Sequence, residues 1–104
     1  MNPKELQRIL QQAQKVQEEL AVAQEALAAR TFEGSAGGAA VVAHMTGAGE
    51  LTGVEIDPSV IDPDDAEMLG DLIVAAVNQA REEVGKATDE EIGGLAGGLG
   101  VPFG

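Results

Sequence analysis

The chain has 104 residues, a net charge of −12 and no cysteine, and two phenylalanines are its only aromatic residues. This length predicts a single domain, and the lack of cysteine excludes disulfides and thiolate metal sites. We find neither an apolar run long enough to span a membrane nor a secretory signal pattern, and we expect a cytoplasmic protein. A core of small side chains in so short a chain stabilises weakly, which favours a homodimer.

The first thirty residues predict one long amphipathic helix. Asn2, Pro3 and Glu5 form a helix-start signal, because an Asn cap, a first-position Pro and an acid at the third position each suit the helix N-terminus. Apolar residues then recur in alternating steps of three and four, as in a coiled coil, at Leu6, Ile9, Ala13, Val16, Leu20, Ala23 and Leu27. We name these seven residues the seam. It predicts that the helix, about 42 Å long, packs lengthwise on another helix and projects beyond its own domain.

Positive charge is concentrated at the start of this helix. Residues 1–17 have three basic residues against one acid, whereas residues 32–104 have two against fourteen. The acidic balance of the whole chain argues against nucleic acid, because phosphate contacts need Lys and Arg, but the first four turns should be electropositive. The candidate DNA-contacting residues are Lys4, Arg8, Gln11 and Lys15, which share a face away from the seam. An ordinary solvated helix face is the alternative interpretation.

The next segment predicts a three-stranded antiparallel meander. Short β-branched or alternating runs occupy residues 31–36, 39–46 and 50–57, with glycine-containing turns between them. In the third run, Val54 and Ile56 should point into the core. In the second, the neighbouring residues 41 and 42 are both Val and break the alternation. We therefore expect that strand to be covered on both faces, or its register to be poorly defined.

A second start signal, Asp62-Pro63-Asp64-Asp65, predicts a helix from about residue 63 to residue 87. The resulting order α-β-β-β-α predicts an α+β fold in which a sheet is backed by long N- and C-terminal helices. We expect residues 1–92 to form the single domain and the glycine-rich residues 93–104 to form a flexible tail. Arg81 and Lys86 lie late in the predicted helix, where they either complement its dipole or contact phosphate.

The other polar residues suggest no reaction centre. The acidic residues of segment 57–67 lack the spacing of an EF-hand, and we interpret Asp62 as a helix cap and the acids that follow it as first-turn charges. His44 has no companion ligand or nucleophile, so we expect it to contact solvent or a neighbour. The glycines match no phosphate-binding loop. We expect no catalytic residues, no metal, no cofactor, no small-molecule substrate and no membrane contact.

Three stretches together resemble the YbaB/EbfC family of bacterial nucleoid-associated DNA-binding proteins. They are QQAQKVQEELAVAQEALA at 11–28, VEIDPS at 54–59 followed by MLGDLIVAAVNQA at 68–80, and GGLAGGLGVPFG at 93–104. The resemblance implies a homodimer whose long helices project from a central sheet layer like tweezers. It also implies DNA binding with little sequence specificity in the cytoplasmic nucleoid, a role in organising DNA and in gene regulation, and no catalysis.

A protein-interaction module is the competing function. The strongly acidic surface would then engage a basic partner, such as a DNA-processing protein, while the helical arms grip a partner helix. Partners that persist after complete removal of DNA would favour this interpretation over DNA binding.

Overall fold

The structure is a computed structural model that describes the backbone of residues 2–98 and the side chains of residues 2–94. The elements in chain order are α1 (Pro3–Ala29), β1 (Thr31–Ala36), β2 (Val41–Thr46), β3 (Leu51–Ile56), a short 3₁₀ helix (Pro58–Val60) and α2 (Ala66–Gly98). The predicted α-β-β-β-α order and open antiparallel sheet are confirmed. The molecule measures 74 × 26 × 16 Å, because α1 extends far beyond the sheet as its length predicts.

Helix α1 begins at the predicted signal. The Asn2 Oδ1 accepts a hydrogen bond of 2.8 Å from the Glu5 backbone N–H, and Pro3 occupies the first helical position. The helix ends where Arg30 adopts an extended conformation, although its N–H still bonds the Leu27 carbonyl. The uninterrupted span of 27 residues follows from a sequence without internal Gly or Pro.

The sheet is a meander in the order β1-β2-β3, with both neighbouring pairs antiparallel. The turn between β1 and β2 contains three successive residues with positive φ, Gly37, Gly38 and Ala39. Glycine adopts this conformation without steric cost, which explains the predicted tight turn. On the outer edge of β1, the backbone N–H of Ser35 donates to the Gln79 Oε1 of α2.

One face of the sheet is covered by α2. The inward side chains of β2, Val41, Ala43 and Met45, are fully buried against Ala76 and Ala80. The small side chains on α2 let its backbone approach the sheet closely. This contact forms the core, and Val54 and Ile56 of β3 pack against its margin as predicted.

Gly34 on β1 permits the closest approach of helix and sheet. A Cβ atom at Gly34 would lie 2.2 Å from both the Ala76 carbonyl oxygen and the Ala80 backbone nitrogen. No side chain fits there while the helix keeps its place. Gly34 therefore fixes the distance between β1 and α2.

The expectation that β2 is covered on both faces is wrong. Burial alternates along the strand, and Val42 and His44 on the second face are only partly buried. Their neighbours across the sheet cover them in part, with Ser35 and Glu55 beside Val42. The pairing of β2 with β3 contains one irregularity, between His44 and Met45.

The predicted bounds of the second helix, 63 and 87, are both wrong. Asp62 forms a turn instead of the cap: its carboxylate accepts from the Asp64 N–H, and Asp65 caps the helix by accepting from the Met68 N–H. Helix α2 then continues to Gly98, so residues 93–98 of the expected tail are helical, and residues 99–104 lie outside the described part. The contact of Thr88 and Ile92 with α1 lies beyond the predicted end at residue 87 and stabilises the helix there.

Candidate nucleic-acid interface

The four candidate residues of α1 form one continuous stripe. Lys4, Arg8, Gln11 and Lys15 follow the spacing i, i+4, i+7 and i+11, which places side chains on one helix face. All four are exposed, and the stripe is about 17 Å long at 1.5 Å per residue. We name these four residues the basic stripe.

The charges of the basic stripe are not neutralised by neighbours. Among residues 2–94, no carboxylate oxygen lies within 4.0 Å of the side-chain nitrogens of Lys4, Arg8 or Lys15. The N-terminus of the helix adds partial positive charge from its unpaired backbone N–H groups. Glu18 and Glu19 lie three and four residues after Lys15, so the electropositive surface ends there.

The base of α1 is held firmly to the sheet. Gly47 after β2 lies so close that a Cβ atom there would be 1.8 Å from the Leu27 carbonyl oxygen, and its N–H bonds the Arg30 carbonyl at 3.0 Å. The Arg30 guanidinium lies 4.9 Å from the centre of the Phe32 ring and 3.9 Å from a carboxylate oxygen of Glu91. The basic stripe therefore stands on a long arm with an anchored base.

The seam is buried unevenly along α1. Near the base, Leu27 is 6% exposed, and Leu20, Ala23 and Leu27 line a contact with Thr88 and Ile92 of α2. Toward the tip, exposure rises to 50% at Leu6 and 49% at Ile9, and Ala13 is also exposed, whereas Val16 is partly buried. The lower seam thus packs on a helix of the same chain, while the upper seam faces solvent.

Arg81 and Lys86 lie apart from the basic stripe, on the body of the protein. The interpretation that they complement the dipole of α2 is wrong, because the helix continues to Gly98 and has no basic residue in its last turn. The Lys86 Nζ lies 3.3 Å from a Glu83 carboxylate oxygen, so its charge is partly balanced. Arg81 is exposed and has no carboxylate within 4.0 Å among the described side chains.

The acidic loop of residues 57–67 uses its carboxylates to bind backbone N–H groups. Asp57 caps the 3₁₀ helix by accepting 2.9 Å from the Ser59 N–H. This hydrogen bond, assisted by the Ser59 hydroxyl, lowers the pKa of the Asp57 carboxyl below its ordinary value of 3.8. Within residues 2–94, no group of three or more His, Cys, Asp or Glu side chains is placed to hold a metal ion.

His44 is placed on the uncovered face of the sheet between two acids. Its Nδ1 lies 3.4 Å from Glu33 on β1, and its Nε2 lies 3.3 Å from Glu55 on β3. The expectation that His44 contacts neighbours is confirmed. The two contacts involve all three strands, and the arrangement offers no nucleophile for a reaction.

Comparison with known proteins identifies the family. A sequence model described as the YbaB/EbfC DNA-binding family matches residues 1–99. The chain belongs to this family. A nucleoid-associated protein of Streptomyces griseus is 52% identical over 95 residues, which cover 91% of this chain and 83% of that protein. A nucleoid-associated protein of Clostridium perfringens is 47% identical over 94 residues, covering 90% and 84%.

A solved structure extends the comparison to the fold. The crystal structure of an uncharacterized protein from Helicobacter pylori has a TM-score of 0.62 to this chain at 24% identity, and the match covers 95% of this chain and 97% of that one. The YbaB/EbfC family is a DNA-binding family and not a family of enzymes. None of the described helices combines the length and the apolar character needed to cross a membrane.

The sequence did not reveal which residues hold the arm in place. Gly34 and Gly47 are two of fourteen glycines, and nothing local in the sequence distinguishes them from the others. Arg30 was visible only as one of six basic residues. The position of Gly47 directly after a strand was the one available signal, because glycine at a strand end often marks close approach of another backbone.

Proposed function

We propose that this YbaB/EbfC protein binds DNA as a homodimer with little sequence specificity and organises DNA in the cytoplasmic nucleoid, with an effect on gene expression. The observation that carries the proposal is the basic stripe, an exposed row of unneutralised cations on a projecting helix of an otherwise acidic molecule. Membership of a DNA-binding family and the nucleoid-associated relatives support DNA as the partner. They do not favour a basic protein partner.

Low specificity follows from the side chains available. Lys and Arg contact phosphate oxygens, which are the same at every base pair. Within the basic stripe, Gln11 has the amide that suits hydrogen bonding to a base edge, and it serves equally to bind phosphate. Arg81 and Lys86 could add phosphate contacts if DNA reaches the body of the protein. The acidic remainder repels DNA and confines the contact to the arms.

The homodimer supplies the number of contacts that binding needs. One arm offers three cations, and two arms offer six. We expect four to six phosphates to be neutralised per dimer, which predicts that log K falls with log salt with a slope of roughly −4 to −5. The two arms of the proposed dimer project like tweezers from a central sheet layer, and the exposed seam residues Leu6, Ile9 and Ala13 are candidates for contact with another helix.

A salt titration tests the proposal directly. Binding of the full-length protein to a fluorescent duplex is measured by anisotropy across a salt series, and the mass of the protein is measured by light scattering. Charge reversal of the three cations, Lys4→Glu, Arg8→Glu and Lys15→Glu, should abolish binding while the circular dichroism spectrum stays unchanged. If the wild-type protein ignores duplex DNA at low salt, the proposed function is wrong.

A further inference from the structure

The two halves of α1 carry opposite net charge. The outer half, residues 2–15, holds the basic stripe, whereas the lower half, residues 16–29, contains no Lys or Arg and has three exposed glutamates, Glu18, Glu19 and Glu25. The next cation toward the sheet is Arg30, whose guanidinium already contacts Phe32 and a carboxylate oxygen of Glu91. The lower half of the arm therefore presents DNA with negative charge alone.

Glu18 and Glu19 lie on either side of the line along which the basic stripe would continue toward the sheet. At about 100° of rotation per residue, Glu18 is displaced by roughly 60° to one side of Lys15 and Glu19 by roughly 40° to the other. Val22 lies between them, and these four residues surround one open depression of about 370 Å³. Among residues 2–94, neither carboxylate is within 4.0 Å of a cationic nitrogen. Both charges can therefore act on a phosphate that approaches Lys15.

We propose that Glu18 and Glu19 are positioning residues, which confine a bound duplex to the outer half of each arm and hold it away from the sheet. This inference rests on the proposed DNA-binding homodimer and names the residues that limit its DNA site along the arm. Each arm then holds DNA at its tip, and the lower half of α1 serves as a spacer.

The range of electrostatic repulsion supports this assignment. Duplex DNA carries one negative charge for about every 1.7 Å of its axis, so several phosphates lie near any cation that it contacts. The Debye length is about 10 Å at 0.1 M salt, which exceeds the rise of about 5.4 Å in one helical turn. Phosphates held by Lys15 are therefore within range of the carboxylates one turn below. A duplex that moved further toward the sheet would gain repulsion and no new cation.

Neutralising the two glutamates tests the repulsion. Binding of the full-length variant Glu18→Gln with Glu19→Gln to a fluorescent duplex is measured by anisotropy beside the wild type. We expect binding about tenfold tighter at low salt, because the dimer loses four repelling carboxylates, and a smaller gain at high salt, where charges are screened. Glu50→Gln with Asp71→Asn is the matched control, since it removes the same charge from exposed side chains on the body. It should tighten binding far less.

Photo-cross-linking locates the duplex on the arm. The chain contains no cysteine, so Gln7→Cys near the tip and Ala26→Cys in the lower half each provide a single exposed thiol for a photoreactive label. With saturating protein, Gln7→Cys should cross-link to DNA, and Ala26→Cys should form several times less product. Adding Glu18→Gln and Glu19→Gln should raise cross-linking from Ala26→Cys severalfold, because the duplex can then move down the arm. A purely structural role of the glutamates would not change the position of cross-linking.

The outcomes separate this inference from the proposed function. If the wild-type protein binds no duplex at low salt, DNA binding is wrong and the inference is wrong with it. If the protein binds DNA but Gln7→Cys and Ala26→Cys cross-link equally, the inference alone is overturned. Tightening by Glu18→Gln with Glu19→Gln that does not exceed that of the body control would also overturn it, because net charge would then account for the effect.

Discussion

Gly34 is a position at which one added methyl group should strongly destabilise the fold. The change Gly34→Ala adds a Cβ atom 2.2 Å from two backbone atoms of α2. Ordinary contact begins at about 3.4 Å, so helix and strand must separate by about 1.2 Å. Side-chain rotation cannot relieve this clash, because the obstructing atoms are the Ala76 carbonyl oxygen and the Ala80 nitrogen.

The cost follows from what the separation exposes. Moving α2 outward loosens the contact of Ala76 and Ala80, which are fully buried, with the inward face of β2. Overpacking commonly costs 1–3 kcal/mol, and a clash between backbones should reach the upper end, about 3 kcal/mol. For a domain of this size that predicts a fall in Tm of about 12 to 24 °C.

Thermal and urea unfolding, followed by circular dichroism at one fixed protein concentration, measure this effect. Gly53→Ala is the matched control, because a Cβ atom at Gly53 meets nothing within 4 Å and its φ is not in the left-handed region. The control should leave Tm unchanged or raise it slightly, since alanine reduces the freedom of the unfolded chain. If Gly34→Ala unfolds at the same temperature as Gly53→Ala, the close approach of α2 and β1 is not what holds the sheet.

Three further predictions concern single positions. Lys15→Gln should make the slope of log K against log salt less steep by about 1.8, because each dimer loses two phosphate contacts. The same slope for the variant and the wild type in a binding titration would contradict this. Gly85→Ala adds a methyl group that meets nothing within 4 Å and should raise the free energy of unfolding in urea by about 1 kcal/mol, because alanine favours the helix. An unchanged or lower value would contradict this. The ionised Asp57 stabilises the fold above pH 3.8 and loses this effect as the pH falls through its lowered folded-state pKa. The free energy of unfolding of Asp57→Asn, measured against pH, should therefore fall less steeply at acid pH than that of the wild type. An equally steep fall would show that this cap does not contribute to stability.

The order of elements could be predicted because its signals are local. Asn2, Pro3 and Glu5 stand at the start of α1, and the glycines at positions 37 and 38 lie in the turn where the chain reverses. The end of α2 could not be predicted, because its last turns are rich in glycine, which has a low helix propensity, and yet they are helical. Asp62 and Asp65 present equivalent local signals, and only the completed loop decides which of them caps the helix.

The basic stripe could also be predicted, since helical spacing alone places Lys4, Arg8 and Lys15 on one face. The change in burial along the seam could not be predicted from the sequence. It depends on where the base of α1 meets α2, and that is set by close backbone contacts at Gly47 and the position of Arg30. Long-range contacts of this kind produce no periodic pattern in the amino-acid sequence.

The hydrogen bond from Ser35 to Gln79 has a consequence for behaviour at high concentration. An edge strand with unsatisfied backbone donors is a template on which another chain can add a strand and start a fibre. On β1 one such donor is already occupied by the Gln79 amide, and an incoming strand would have to displace that side chain first. The proposed role in organising DNA would bring many copies of the protein close together. The side-chain amide of Gln79 on α2 thus helps to prevent aggregation where many copies of the protein lie close together.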